Sequence, residues 1–159
     1  MSIHPETRIG HVHLTVSDLE RSLLFYRDIL GFEVTTTIGD HAAFLSAGGY
    51  HHHIALNTWA GKGAEPPPPG HTGLYHAAIL YPSRKELSKA LRSLDEAGYP
   101  LTGAADHGVS EALYLNDPDN NGIELYHDRP REEWKRNEDG TLIMFTEPLD
   151  LVSLRAELA

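Results

Sequence analysis

The sequence predicts an α+β domain built from two tandem βαβββ modules whose strands form a cupped mixed sheet. Two observations carry the modular part of this expectation. Both halves use the same order of strand-like and helix-like runs, and their landmarks recur at nearly constant offsets. His11 to His76 is an offset of 65, Gly31 to Gly98 is 67, and Ile54-Ala55-Leu56 to Ile123-Glu124-Leu125 is 69. A third observation is length: 159 residues supply one proper core and are short for two independent ones. The expected organisation is a single domain, 1–159, with module 1 at about 8–60, a linker at 61–72, module 2 at about 73–128 and a C-terminal extension at 129–159.

The elements follow in order. Residues 9–16 alternate apolar and polar side chains, the period of a half-buried strand. Ser17-Asp18 then offers helix N-caps, Leu19, Leu23, Tyr26 and Leu30 recur at helical spacing, and Gly31 stands where a helix stops. Turn residues separate three further strand-like runs at 32–37, 42–46 and 51–58. The second half repeats this grammar. A strand at 73–81 contains His76, and Pro82-Ser83 opens a helix in which Ser83 and Glu86 are spaced as a capping box. Leu87, Leu91 and Leu94 form its apolar stripe and Gly98 closes it. Strands at 101–103, 112–116 and 122–126 follow, the last two joined by the turn Asp117-Pro118-Asp119-Asn120-Asn121. Between the halves, Pro66-Pro67-Pro68-Pro69 predicts a stiff polyproline-like linker. Beyond Asp128 the chain is polar and then amphipathic, as expected of a tail that wraps the surface.

Composition narrows the function. Thirteen Lys plus Arg face 23 Asp plus Glu, a formal charge of −10. Such a balance argues against nucleic acid and against an anionic membrane as partner. No run of 18 apolar residues occurs, and residues 1–8 lack the apolar core of a signal peptide, so the expected location is cytoplasmic. There are no cysteines, which removes disulfides, thiolate metal sites, iron–sulfur clusters and cysteine nucleophiles. Eleven histidines remain, and imidazole is the commonest transition-metal ligand. Those at His4, His41, His71 and His127 are expected on the surface.

Strand parity selects the chemistry. Val12, Leu14 and Val16 share one face of the first strand, leaving His11, His13 and Thr15 on the other. In the last strand of module 2, Ile123 and Leu125 face the helix side and Gly122, Glu124 and Tyr126 lie opposite. A sheet curved on itself brings His11, His76 and Glu124 to one concave surface. Two imidazoles and one carboxylate are the ligand set of a metal site that keeps open positions. His13 competes with His11 on parity, but its counterpart in the repeat is Ala78, whereas that of His11 is His76.

The stretch His11-Val12-His13-Leu14-Thr15-Val16-Ser17-Asp18-Leu19, with Phe25-Tyr26 and Leu30-Gly31-Phe32 behind it, resembles the vicinal oxygen chelate superfamily of glyoxalases, bleomycin resistance proteins and extradiol dioxygenases. So does Asp117-Pro118-Asp119-Asn120-Asn121-Gly122-Ile123-Glu124-Leu125, in which the family's last metal ligand is the glutamate. The resemblance spans about residues 9–128 and implies the glyoxalase/bleomycin resistance/dihydroxybiphenyl dioxygenase fold. It also implies metal ligation by His11, His76 and Glu124. In glyoxalase I the position matching Ala55 is a fourth ligand, and alanine cannot ligate. Three ligands resemble the extradiol catechol dioxygenases, which implies Fe(II), with Mn(II), Ni(II) or Zn(II) as alternatives.

Further positions resemble that branch. His51-His52 corresponds to its catalytic histidine region, Tyr114 to a substrate-binding tyrosine ten residues before Glu124, and His107 to a second active-site histidine. Parity counted back from Ala55 places His53 and His51 on the site face, while the family motif favours His52; a bulge would reconcile the two. His52 is therefore the expected acid/base and His53 its alternative. Residues 126–134 and 147–150 resemble the first half of catechol-2,3-dioxygenase-like proteins. The implied function is a ring-cleaving dioxygenase acting on a catechol-like diol and dioxygen, as a homodimer. The alternatives are a glyoxalase-like isomerase, lyase or transferase, and a non-enzymatic small-molecule binding protein of the resistance type. Typical extradiol dioxygenases carry four βαβββ units, whereas this chain has two.

Overall fold

The computed structural model describes residues 2–159. The chain divides into two compact units, Met1–Pro66 and Pro67–Ala159, with the boundary inside the proline run.

In the first unit, β1 (Val12–Thr15), β2 (Glu33–Ile38), β3 (Ala42–Ser46) and β4 (Ile54–Asn57) form one sheet in the order β1-β4-β3-β2. The pair β1–β4 is parallel and the others antiparallel, the arrangement that a βαβββ unit requires. Helix α1 (Leu19–Leu23) begins where Asp18 accepts a hydrogen bond from the Arg21 amide at 3.0 Å. It continues as a wider π-helical turn over Leu24–Ile29, closed by the Leu30 amide on the Phe25 carbonyl at 3.0 Å. Within that turn the adjacent Phe25 and Tyr26 are both wholly buried.

Strand β4 is shorter than the expected 51–58 run. His51 and His53 lie in bends, and only His53 joins the ladder, through its amide to Leu45 and its carbonyl to Val12. A bulge does occur in this sheet, but in β2 between Val34 and Thr36. The Thr35 hydroxyl there lies 3.1 Å from the Phe44 carbonyl oxygen and 2.9 Å from that of His51, tying the histidine bend to the sheet edge.

The second unit holds β5 (Ala77–Leu80), α2 (Arg84–Ala97), β6 (Gly103–Asp106), β7 (Ser110–Asn116), β8 (Gly122–Asp128), β9 (Glu147–Pro148) and α3 (Leu151–Ala156), with sheet order β5-β8-β7-β6-β9. The Ser83 hydroxyl accepts from the Glu86 amide at 3.2 Å, and Gly98 ends α2 at φ +62°, as the capping pattern predicts. Leu87, Leu91 and Leu94 are wholly buried. Strand β6 lies later than the expected 101–103. Ala104-Ala105-Asp106 has weak strand propensity, and pairing with β7 overrides it.

One histidine is misplaced by the sequence reading. Strand β8 continues two residues past Tyr126, so His127 shares the inward parity of Ile123 and Leu125 and is buried rather than at the surface. Its Nε2 lies 3.3 Å from the carboxylate of buried Glu111, which also accepts from Arg84 at 2.7 Å and Arg129 at 2.9 Å.

The register matches the repeat residue by residue. Val12 pairs with Ile54 and His13 with Ala55 in the first sheet; Ala77 pairs with Ile123 and Ala78 with Glu124 in the second. His11 and His76 thus hold the same place, one residue before a parallel strand.

The C-terminal extension docks on the second unit. Residues Glu147 and Pro148 pair with Asp106 and Ala105 of β6, and Leu154 of α3 is wholly buried. Arg84 reaches Glu157 at 2.7 Å and the Ser153 hydroxyl at 3.1 Å, while Arg155 meets Asp95 at 2.8 Å. Leu154→Ala is expected to destabilise the protein by about 2–5 kcal/mol through the cavity it leaves. Urea unfolding measures this, and an unchanged midpoint would contradict the docking of α3. Among the described residues, no helix is long and apolar enough to cross a membrane.

Candidate active site

In the second unit the site begins at Glu124, in the middle of β8. Alternation buries Ile123 and Leu125 and turns Glu124 to the other face of the sheet. One carboxylate oxygen, Oε2, lies 3.0 Å from His76 Nε2. The other, Oε1, accepts from the Tyr114 hydroxyl at 3.0 Å, because Tyr114 is the direct cross-strand partner of Glu124. The Tyr114 oxygen also lies 2.6 Å from His107 Nε2. Burial first, and the neighbouring Glu124 carboxylate second, push the Tyr114 phenol well above its ordinary pKa, so it stays protonated at neutral pH.

A cavity of about 500 Å³ lies beside Glu124 and is lined among others by its partners His76 and Tyr114, and by His107, Tyr75, Thr102 and Thr146. Gly122 makes its wall possible. A Cβ added there would collide with the Tyr75 carbonyl and come within 3.2 Å of the His76 Cβ, so only glycine lets β8 approach the backbone bearing His76.

The donor set suits a divalent ion. Two ligand atoms each about 2.1 Å from a metal and at right angles are about 3.0 Å apart. The His76–Glu124 separation has that value. His76 Nδ1 is buried without a hydrogen-bond partner, a cost that calls for an explanation such as a bound ion or a catalytic role. Among the described residues, no three His, Cys, Asp or Glu side chains are already grouped to hold a metal ion.

The first unit gathers the remaining candidates. The His11 and His52 rings are 4.4 Å apart between centroids, and Phe44 packs edge-on to His52 at 5.2 Å. His52 Nδ1 lies 2.7 Å from His51 Nδ1, and His53 Nδ1 lies 3.2 Å from the Ser46 hydroxyl. His13 is differently engaged: Asn57 Nδ2 sits 3.0 Å from its Nε2, and its ring meets Phe44 and Trp59 edge-on. Burial, then the nearby imidazoles led by His11, lower the His52 pKa and favour its neutral form. Ala55 is wholly buried in β4 beside His13.

The structure therefore brings His76, Glu124, Tyr114 and His107 together in one unit, and His11, His52, His51 and His53 together in the other. Sequence reasoning missed Gly122 as a packing requirement, and missed Phe145 and Thr146. The Phe145 carbonyl oxygen lies 2.8 Å from His107 Nδ1, and the Thr146 hydroxyl 3.4 Å from it. No residue pattern in the sequence pointed to them.

Residues 8–125 match the family described as Glyoxalase/Bleomycin resistance protein/Dioxygenase superfamily. The chain is 47% identical over 156 residues to catechol-2,3-dioxygenase of Bacillus subtilis (strain 168), covering 98% of this chain and 54% of that protein. It is 31% identical over 128 residues to biphenyl-2,3-diol 1,2-dioxygenase 3 of Rhodococcus globerulus, covering 80% and 66% respectively. The chain thus spans about half to two thirds of the length of these relatives. Among solved structures, a glyoxalase/dioxygenase from Nostoc punctiforme superposes with a TM-score of 0.66 at 21% identity, covering 82% of this chain and 98% of that one. The repeated βαβββ topology and these matches agree, and the chain belongs to the glyoxalase/bleomycin resistance protein/dioxygenase superfamily.

Proposed function

We propose that the protein is an Fe(II)-dependent extradiol dioxygenase that cleaves the ring of a catechol-like diol with dioxygen. The observation that carries this reading is the constellation formed by Glu124 of β8, Tyr114 of β7, His76 just before β5 and His107 between β6 and β7. A carboxylate and an imidazole stand at ligand spacing beside a protonated phenol backed by a histidine, and the imidazole, the phenol and the second histidine line one cavity. His76 and Glu124 hold the metal, and His11 is the third ligand on the strength of the repeat. His13 is the poorer candidate, since its ring nitrogen already has Asn57 as partner. Buried Ala55 supplies no fourth ligand, which favours a dioxygenase over a glyoxalase-like site. The dioxygenase names of the two relatives support the same choice.

Bound Fe(II) supplies Lewis acidity and a template for the two oxygens of the diol. The residues do the rest. His52, whose pKa is lowered by burial first and by the neighbouring imidazoles second, takes a diol proton and later returns it. His53 is the alternative base, with its Nδ1 already turned to Ser46. Tyr114 orients its hydroxyl toward a substrate oxygen, and His107 Nε2 stands behind it at 2.6 Å as a proton acceptor. The reading extends to a homodimer; sedimentation at micromolar concentration tests it.

Anaerobic loading with Fe(II), then catechol and air, is expected to generate a yellow ring-cleavage chromophore. No product from a panel of catechols with fully loaded protein would overturn the proposal. Tyr114→Phe keeps the ring and loses the hydroxyl. It is expected to lower kcat by on the order of 10²–10⁴-fold with metal content unchanged, as measured by steady-state kinetics alongside metal analysis.

A further inference from the structure

We infer that the C-terminal extension is a working part of this site: the Phe145 carbonyl holds His107 in the Nδ1–H tautomer and so aims its bare Nε2 at the Tyr114 hydroxyl. The argument is one of donors and acceptors. A carbonyl oxygen only accepts, so the 2.8 Å contact between Phe145 O and His107 Nδ1 places a proton on Nδ1. A neutral imidazole then has its lone pair on Nε2, 2.6 Å from the Tyr114 oxygen. The single phenolic proton faces two acceptors, the nearer one on His107 and the other on Glu124 at 3.0 Å. The tautomer of His107 thus decides whether Tyr114 has a proton acceptor behind it or a competing donor.

The extension is built to deliver that carbonyl. Glu147 and Pro148 pair with the edge of β6, and the Phe145 amide reaches back to the His107 carbonyl at 3.4 Å. Behind them, buried Leu154 and the Arg84 and Arg155 contacts fasten α3 to the second unit. Gly108 lets Phe145 sit there. It holds φ +76°, and a Cβ at that position would stand 2.5 Å from one Phe145 ring carbon and 2.8 Å from the next. His107 is on this view a positioned residue, and Phe145 a positioning one acting through its backbone.

The mechanistic meaning rests on the dioxygenase reading, but the tautomer does not, so the two are tested apart. Nitrogen-15 NMR of imidazole-labelled, metal-free full-length protein is expected to show His107 in the Nδ1–H form, with Nε2 at the shift of an unprotonated nitrogen. Gly108→Ala, which drives the Phe145 ring away, is expected to shift His107 toward the Nε2–H form usual for histidine in water. In the Fe(II)-loaded variant, kcat is expected to fall more than 10-fold with KM changed less than 3-fold. Wild-type His107 in the Nε2–H form, or a freely exchanging mixture, would overturn the inference even if Gly108→Ala fails to fold. The locked tautomer in a protein that cleaves no catechol would uphold the inference and sink the dioxygenase reading instead.

Discussion

On the proposed reading, Glu124→Ala is expected to abolish metal binding and ring cleavage together, with the fold retained. The substitution removes an anionic oxygen from a half-buried position beside His76 and Tyr114, and alanine fits the outward face of β8 without disturbing Ile123 and Leu125 beneath it. Losing even a group that only orients a ligand weakens metal binding by about 10–100-fold. Losing the only carboxylate of the set is expected to exceed that range. Isothermal titration of Fe(II) or Mn(II) into the metal-free protein measures the loss, and circular dichroism checks the fold. Retained stoichiometric binding would refute Glu124 as a ligand. The same change strips Tyr114 of one hydrogen-bond partner and His76 of its polar contact, so activity lost without metal lost would point to those contacts instead.

Gly122→Ala is the second large effect, and it adds a single methyl group. That methyl has nowhere to go: the Tyr75 carbonyl occupies its place, and backbone cannot swing aside as a long side chain can. Relief requires the start of β5 to move off β8, which carries His76 away from Glu124. Overpacking of this kind costs about 1–3 kcal/mol, and more where backbone is the obstacle. The expected result is a lowered unfolding midpoint together with metal affinity reduced by on the order of 10-fold or more, the scale seen when ligand orientation is lost. Urea unfolding with and without metal separates the two effects. A variant as stable and as avid as the parent would show that β5 and β8 do not need this close approach.

Much of this was legible in the sequence, for definite reasons. Period-two and helical patterning placed β1, β8 and the helices α1 and α2, because each packs an apolar face on a core and the helix caps, Asp18, Ser83 and Gly98, are local devices. The repeat supplied what local pattern could not: it singled out His11 over His13 as the counterpart of His76, and the register of β1–β4 and β5–β8 reproduces that alignment. The Asp117–Asn121 turn is conspicuous in sequence, and its work is structural. Asp117 accepts from the amides of Asp119 and Asn121 at 2.9 and 2.8 Å, fixing how β7 hands over to β8.

What stayed hidden depends on distant partners. The strand at Gly103–Asp106 exists because β7 pairs with it, not because alanines favour strands. His127 is inside because β8 outruns its expected end, which lets the parity rule act two residues further and gives buried Glu111 its neighbour. The bend at His51–His53 defeats parity counting, since alternation holds only inside a ladder and His52 lies outside it. The Phe145 carbonyl leaves no trace in residue identity at all; a backbone atom 38 residues from His107 is found only by folding the chain.

X-ray absorption at the iron edge of the anaerobically loaded protein tests the ligand set most directly. Two imidazoles and oxygen donors, falling to one imidazole in His76→Ala, are the expected signature. Three or more imidazoles, undiminished in His76→Ala and lost only when His51, His52 and His53 are replaced, would put the iron on the histidine bend and contradict the role given to Glu124.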